Sequence, residues 1–159
     1  MRFPHLRLEL SLLRQGISVG WEFGARSLEE LAAVGEFLEH CVYEPGSLHR
    51  IPEGVSFTLR NPPLRMGAFS GIRLLWDGAA VPSREAELRM EGEEVGRRLD
   101  RIDADRPATF TFGRRTEFRI RLDRPAAGDH HVRLELQSVA IPPLVWFEFT
   151  EPLGEGKGR

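Results

Sequence analysis

The residues best suited to chemistry are histidines, carboxylates and one cysteine, Cys41. The five histidines are His5, His40, His49, His130 and His131. A protein metal site needs two or three such side chains to converge, usually with a carboxylate. His40 and His49 flank Glu44, so one hypothesis is a metal-dependent enzyme that uses these three residues. No recognised ligand spacing is present, which favours solvent-exposed loop histidines, and we expect neither a metal nor a cofactor.

The sequence also lacks the usual nucleophile motifs. His130 and His131 are adjacent, so on a strand they point to opposite faces and do not share a ligand easily. Cys41 follows the apolar positions of a predicted helix, which favours a small core residue over a reactive thiolate. Neither a Gly-x-Ser-x-Gly elbow nor a glycine-rich phosphate loop is present. We therefore predict that this chain contributes no catalytic residue.

Charged residues are abundant but balanced. The chain has 24 acidic and 22 basic residues, for a net charge of -2, which argues against nucleic acid or an anionic membrane as partner. Acids and arginines interleave over residues 84–106, which indicates a salt-bridged surface more than the paired carboxylates of a glycosidase. Arg114 and Arg115 suit either a soluble turn or a clasp for an acid or phosphate.

Two apolar segments are candidates for contact with a partner. Residues 61–71 read as a long loop, and residues 141–147 are apolar at consecutive positions. Burial on both faces explains the second segment as well as a partner surface does. The candidate interface residues are Leu64, Arg65, Met66, Phe69, Trp146 and Phe147. The alternative for Phe69 is that its ring fills the end of the protein core.

Alternating apolar residues predict the elements that carry these candidates. Leu6–Leu12 and Ile17–Phe23 predict a hairpin, and further strands are predicted near residues 55–59, 72–76, 110–112, 118–122, 132–136 and 145–149. Residues 83–102 fit a strand at 86–90 followed by a short helix through Val95, Leu99 and Ile102. Ser27 and Glu30 have capping-box spacing, and an amphipathic helix is predicted near residues 28–42.

These elements predict an all-β fold: an antiparallel, jelly-roll-like β-sandwich with that one helix. The length of 159 residues suits one domain over residues 1–150, and the glycine-rich residues 151–159 suggest a flexible tail. The first residues lack the apolar run of a signal peptide, and no stretch approaches a membrane span. A cytoplasmic location is the resulting expectation.

Residues 55–149 resemble the small β subunits of bacterial C-glycoside deglycosidases. The resemblance lies in residues 70–78 (SGIRLLWDG) with Val81-Pro82 after them, in residues 110–113 (FTFG) and in residues 127–136 (AGDHHVRLEL). Residues 20–23 (GWEF) are similar to an early strand of that family. The predicted helix and the loop up to Gly54 look like an insertion relative to the family pattern.

The resemblance implies a function through a partner. In that family the β subunit is a sandwich that pairs with a larger α subunit, and the barrel-shaped α subunit carries the divalent metal and the main catalytic groups. The implied role is a non-catalytic accessory subunit of a sugar- or glycoside-active enzyme, with a barrel-type subunit or another copy as protein partner and a sugar or glycoside at the shared site. The alternative is a free-standing carbohydrate-binding module, which requires Trp21, Trp76 and Trp146 in one exposed row.

Overall fold

The computed structural model describes residues 5–12, 17–24, 42–60, 66–110, 113–138 and 144–155. Thirteen strands account for most of them, with short 3₁₀ turns at Ser83–Glu85 and Leu99–Arg101. In chain order the strands are β1 (His5–Leu12), β2 (Ile17–Gly24), β3 (Val42–Tyr43), β4 (His49–Ile51), β5 (Gly54–Arg60), β6 (Met66–Trp76), β7 (Ala79–Ala80), β8 (Ala86–Met90), β9 (Arg97–Arg98), β10 (Ala108–Phe110), β11 (Arg115–Arg121), β12 (Asp129–Ser138) and β13 (Leu144–Pro152).

The strands form two antiparallel sheets that pack face to face. Sheet A has seven strands in the order β1-β2-β13-β12-β6-β10, with β7 beside β6. Sheet B has six strands in the order β3-β5-β11-β8-β9, with β4 beside β5. The predicted all-β antiparallel sandwich is therefore confirmed, and so is the predicted β1–β2 hairpin, in which Leu8 lies opposite Trp21.

The core lies between the inner faces of the two sheets. Along β12 the side chains alternate, so that Val132, Leu134 and Leu136 are buried while Arg133 and Glu135 lie on the outer face. Aromatic rings join the sheets: Phe57 of β5 stacks on Phe118 of β11 with centroids 5.2 Å apart and meets Phe149 of β13 edge-on at 5.3 Å.

Asp77 and Gly78 form the tight turn between β6 and β7. Their φ angles are +50° and +82°, the combination that a two-residue hairpin turn requires. Glycine adopts this conformation without strain, and aspartate tolerates it better than most residues do. The Asp-Gly turn predicted from the sequence is confirmed.

The predicted loop at residues 61–71 is wrong for its second half. Strand β6 begins at Met66, and β10 pairs with this end of it, with Ala108 opposite Phe69 and Phe110 opposite Met66. This part of β6 is thus held by strands far along the chain, since Phe69 and Gly71 also pair with Ser138 and Gln137 of β12. Residues 61–65 lie outside the described residues.

Residues 83–102 contain a strand and little helix. The predicted strand at residues 86–90 is confirmed as β8. The predicted helix through Val95, Leu99 and Ile102 is wrong except for the single 3₁₀ turn Leu99–Arg101. Leu99 and Ile102 are buried, whereas Val95 is 80% exposed, so the three do not form one apolar face.

The predicted flexible tail from residue 151 is wrong for residues 151–155. Strand β13 continues to Pro152, and the Leu153 amide donates to the Gly128 carbonyl at 3.0 Å. Gly154 then bridges to sheet B, because its amide donates to the Leu48 carbonyl at 3.1 Å and its carbonyl accepts from the Arg50 amide at 2.9 Å. These long-range partners hold a segment whose composition resembles a tail.

The predicted helix near residues 28–42 lies outside the described residues except for its last residue, and His40 and Cys41 are likewise outside them. Its predicted last residue, Val42, belongs instead to strand β3. Within the described ranges, no helix is long and apolar enough to cross a membrane.

Candidate functional site

The candidate site lies on sheet A, where the end of β6 meets the beginning of β12. The Asp77 amide donates to the His131 carbonyl at 2.8 Å, and the His131 amide donates to Asp77 Oδ1 at 2.9 Å. This pair of hydrogen bonds fixes the β6–β7 turn against β12. It brings two residues that are far apart in the sequence, Asp77 and His130, into contact.

His130 is buried and both of its ring nitrogens contact acceptors. Nδ1 lies 2.8 Å from Asp77 Oδ2, and Nε2 lies 2.8 Å from the Ala126 carbonyl oxygen. The ring also stacks on Trp76, with centroids 4.4 Å apart. A carboxylate and a carbonyl only accept, so this arrangement favours the imidazolium form, in which both nitrogens donate. His130 thus links the β6–β7 turn to the loop before β12, and in that form neither nitrogen is free to act as a base.

The environment shifts the pKa of both partners in this pair. Burial alone would lower the pKa of His130, but the hydrogen bonds to the Ala126 carbonyl and to Asp77 outweigh it and raise the pKa above its ordinary value. Burial alone would raise the pKa of Asp77, but the hydrogen bonds from His130 and from the His131 amide hold it below its ordinary value. Each partner therefore stabilises the charged form of the other.

We expect this pair to make folding stability depend on pH. Since the pKa of His130 is raised in the folded state, its contribution is complete below its unfolded pKa of about 6.5 and is lost as the pH rises through the folded value. Since the pKa of Asp77 is lowered, its contribution is complete above about 3.9 and is lost as the pH falls through the folded value. The pair thus stabilises most between about pH 4 and 6.5.

Denaturant titrations at pH 5.5 and pH 8.5 test this expectation. The wild-type chain should lose more stability between these two pH values than His130→Gln, which cannot titrate. His131→Gln is the matched control, because its ring is 41% exposed and faces Glu148 across 3.3 Å, and it should keep the wild-type difference. Parallel losses in the wild-type chain and His130→Gln would contradict the assignment.

Next to this corner, the outer face of sheet A carries a connected set of charges. Arg133 donates through Nε to Glu135 Oε1 at 3.0 Å and through Nη1 to Glu148 Oε1. Its guanidinium also lies 5.0 Å from the ring centre of Trp146, in cation–π geometry. Arg73 approaches Glu135 at 3.7 Å from the neighbouring strand. The network spans β6, β12 and β13 and holds its side chains in one arrangement.

The structure places the candidate interface residues predicted from the sequence in different environments. Phe69 and Trp146 are buried, with 2% and 1% of their surfaces accessible, so the structure shows the alternative of burial that the sequence left open for both. Phe69 belongs to the core, with its ring centroid 5.5 Å from that of Phe110. The backbones of Met66 and Phe147 lie in β6 and β13, and their side chains are not described. Leu64 and Arg65 lie outside the described residues.

The hypothetical metal site around Glu44 gains no support from the described residues. Glu44 Oε2 pairs with Arg115 Nε at 3.0 Å, and His49 Nδ1 lies 2.7 Å from the Ser47 carbonyl oxygen. The third member, His40, is outside the described residues. In the part of the chain that the structure describes, no group of three or more histidines, cysteines and carboxylates is arranged to hold a metal ion.

The interleaved charges of residues 84–106 form salt bridges as predicted, for example Arg98 with Asp100 and Arg106 with Asp103, both at 3.0 Å. Salt bridges also cover the outer face of sheet B. Glu117 accepts from Ser56 Oγ at 2.8 Å, from Arg89 at 2.7 Å and from Arg119 at 3.1 Å. Burial alone would raise the pKa of Glu117, but these three donors hold it below its ordinary value. Arg114, at the neighbouring hairpin tip, donates to the Glu91 carbonyl at 3.3 Å, so this cation already has a partner within the chain.

Comparison with known proteins adds no assignment. The sequence matches no protein-family profile. It also has no significant match among curated protein sequences. The geometry of sheet A and the resemblance noted above are therefore the grounds for a functional proposal.

Proposed function

We propose that this protein is a non-catalytic β-sandwich accessory subunit of a sugar- or glycoside-active enzyme, and that it pairs with a larger barrel-type subunit. The observation that carries the proposal is the contact between Asp77 and His130. These residues belong to the two segments with the clearest resemblance to C-glycoside deglycosidase β subunits, residues 70–78 and 127–136. The hydrogen bond between them, at 2.8 Å, makes the two segments one structural unit.

All four resembling segments contribute strands to one sheet. Residues 70–76 lie in β6 and pair with β12, for example Leu74 with Leu134. Phe110 lies in β10, which pairs with the other side of β6, and residues 20–23 lie in β2, next to β13. Asp-Gly turns and glycine-rich strand starts are common, and their chance occurrence does not require neighbouring strands in one sheet. Their convergence supports a shared architecture with the β subunits.

The outer face of the same sheet has features that suit a docking surface. Arg133, Glu135 and Glu148 are held by one another, and these side chains are between 16% and 25% exposed. Side chains that are already ordered lose less entropy when a partner binds. Arg73, 60% exposed at the margin of this network, is available for the rim contacts that set orientation and association rate.

The alternative role as a carbohydrate-binding module requires three tryptophans in one exposed row. Trp76 lies opposite Val132 and Trp146 lies opposite Glu135. Because Val132 and Glu135 are on opposite faces of β12, the two tryptophans lie on opposite faces of sheet A. Trp146 is also buried. The geometry therefore gives this alternative no sugar-stacking platform of the kind it needs.

Co-expression with a barrel-type subunit encoded in a neighbouring reading frame tests the proposal. We expect the two chains to co-purify and to elute together at constant stoichiometry in size-exclusion chromatography. Arg73→Glu should weaken the complex about tenfold, because it reverses a rim charge on the outer face of sheet A. Arg84→Glu is the matched control: Arg84 is 74% exposed and lies in the 3₁₀ turn Ser83–Glu85, which is not a strand of sheet A, so the complex should keep its affinity.

Two results would count against the proposal. If the folded chain forms no complex with the barrel subunit at any ratio, the accessory-subunit role is wrong. If a complex forms but Arg73→Glu and Arg84→Glu leave its affinity equal, the partner binds a surface other than the outer face of sheet A.

A further inference from the structure

Among the described residues, strand β1 is the end strand of sheet A. Its eight residues pair in unbroken register with β2, from His5 opposite Gly24 to Leu12 opposite Ile17, and no described residue pairs with its other side. Such an edge presents a row of backbone donors and acceptors to any strand that approaches it. Natural proteins protect such edges with proline, charged side chains or a bulge. β1 contains no proline and no bulge, and its two charged residues, Arg7 and Glu9, are of opposite sign.

The register fixes which residues of β1 share a face with the core. Directly paired residues of an antiparallel sheet lie on the same face, and one such row runs through Leu8, Trp21, Val145 and Leu136. Leu136 is fully buried, so this row belongs to the core face. Leu6, Leu8 and Leu10 therefore occupy core-face positions, whereas Arg7 and Glu9 occupy positions on the outer face.

The sequence of β1 is complementary to itself in one antiparallel register. Two copies that continue one sheet, with their cores on the same side, can pair only positions of the same face. With Leu8 opposite the partner's Leu8, Arg7 lies opposite the partner's Glu9, and this pair occurs twice across the twofold axis. Leu6 then lies opposite the partner's Leu10, which continues the apolar face.

The neighbouring allowed registers are less favourable. A twofold axis at position 7 would set Arg7 opposite itself, and one at position 9 would set Glu9 opposite itself. Directly opposed like charges destabilise a strand pair, whereas opposite charges stabilise it. The charge pattern of β1 therefore selects the register centred on Leu8.

We propose that β1 pairs with the β1 strand of a second copy of this chain, centred on Leu8, so that two copies of sheet A join into one continuous sheet. The proposal does not depend on the barrel-type partner, because the full-length chain alone supplies both strands. It uses the edge of β1, whereas the surface proposed for the barrel-type subunit lies on the outer face of β6, β12 and β13.

Sedimentation of the purified full-length chain over a range of concentrations tests the dimer. We expect the wild-type chain to dimerise and Arg7→Glu to weaken the dimer by about tenfold or more, because it places acid opposite acid at two positions. Glu9→Arg should weaken it similarly by placing arginine opposite arginine. The double substitution Arg7→Glu/Glu9→Arg should restore the dimer, because both pairs are again of opposite charge.

The restoration separates this interface from a general loss of folding. Arg84→Glu is the control of equal charge change, since Arg84 lies in the 3₁₀ turn Ser83–Glu85 and not in sheet A, and it should leave the dimer intact. Melting temperatures of all variants should stay close together when measured at concentrations where each is monomeric. A wild-type chain that stays monomeric would overturn the proposal, as would a dimer that neither single substitution weakens or a double variant that does not recover.

Discussion

Replacing Phe69 with alanine should lower the free energy of unfolding by about 3–5 kcal/mol. Phe69 is 2% exposed, its ring contacts Phe110 at 5.5 Å, and its backbone pairs with Ala108 at the edge of sheet A. Truncation leaves a cavity that the paired strands β6 and β10 cannot close by moving together. Equilibrium denaturation in urea measures the loss, and Val95→Ala, at a side chain that is 80% exposed, should change stability by no more than about 0.5 kcal/mol.

The same experiment decides between the two roles considered for Phe69. An interface residue would leave the melting temperature of the isolated chain unchanged when truncated and would lower only its affinity for a partner. A core residue lowers the melting temperature whether or not a partner is present. Equal melting temperatures for Phe69→Ala and Val95→Ala would therefore contradict the core position.

Replacing Gly54 with alanine should destabilise the fold by about 4 kcal/mol or prevent folding. A Cβ atom at Gly54 would lie 2.1 Å from the Ile120 carbonyl oxygen and 2.6 Å from the Leu122 amide nitrogen. Ile120 lies in β11, which pairs with β5, and Leu122 directly follows β11. Both contacts are with backbone atoms, so no side-chain rotation relieves the clash. Gly54 also has a φ of +155°, outside the usual range of residues with a side chain. The register between β5 and β11 must shift or break.

Gly113→Ala is the control for this substitution. Gly113 also has positive φ, at +66°, but a Cβ atom there would meet nothing within 4 Å. Gly113→Ala should lower the free energy of unfolding by about 1 kcal/mol, because only the backbone strain of a positive φ is added. Denaturant titration compares the two variants, and the yield of soluble protein replaces it if Gly54→Ala does not fold. Equal losses at the two positions would show that the close approach between β5 and β11 does not govern the effect.

Sequence periodicity was sufficient for most strands of this fold. Alternation places the hairpin of β1 and β2 correctly, because period two is a direct result of the pleated backbone. It also allowed for burial on both faces of β13, and the structure shows this at Trp146 and Phe149, which are buried although they face opposite sides. The tight turn at Asp77-Gly78 followed from local conformational preference alone.

The errors at residues 66–71 and 151–155 have one physical cause: the backbone hydrogen bonds of these segments are formed with residues far away in the sequence. Residues 66–71 and 151–155 have loop-like compositions, yet each is held by backbone hydrogen bonds to segments that a local pattern cannot identify. The Asp77–His130 pair was missed for the same reason, because its members are separated by more than fifty residues. The only available signal was that both residues lie in the segments that resemble one family.

The position of β13 in sheet A determines when this sandwich can be completed during synthesis. The β1–β2 hairpin is synthesised well before β13, its neighbour in the sheet. The pairing of Ile17 with Phe149 therefore cannot form until β13 has been synthesised. At typical elongation rates that interval is on the order of ten seconds. Throughout it, the leucine-rich face of the nascent hairpin has no sheet neighbour to continue it. The early hairpin is therefore the segment of the nascent chain most in need of chaperone protection.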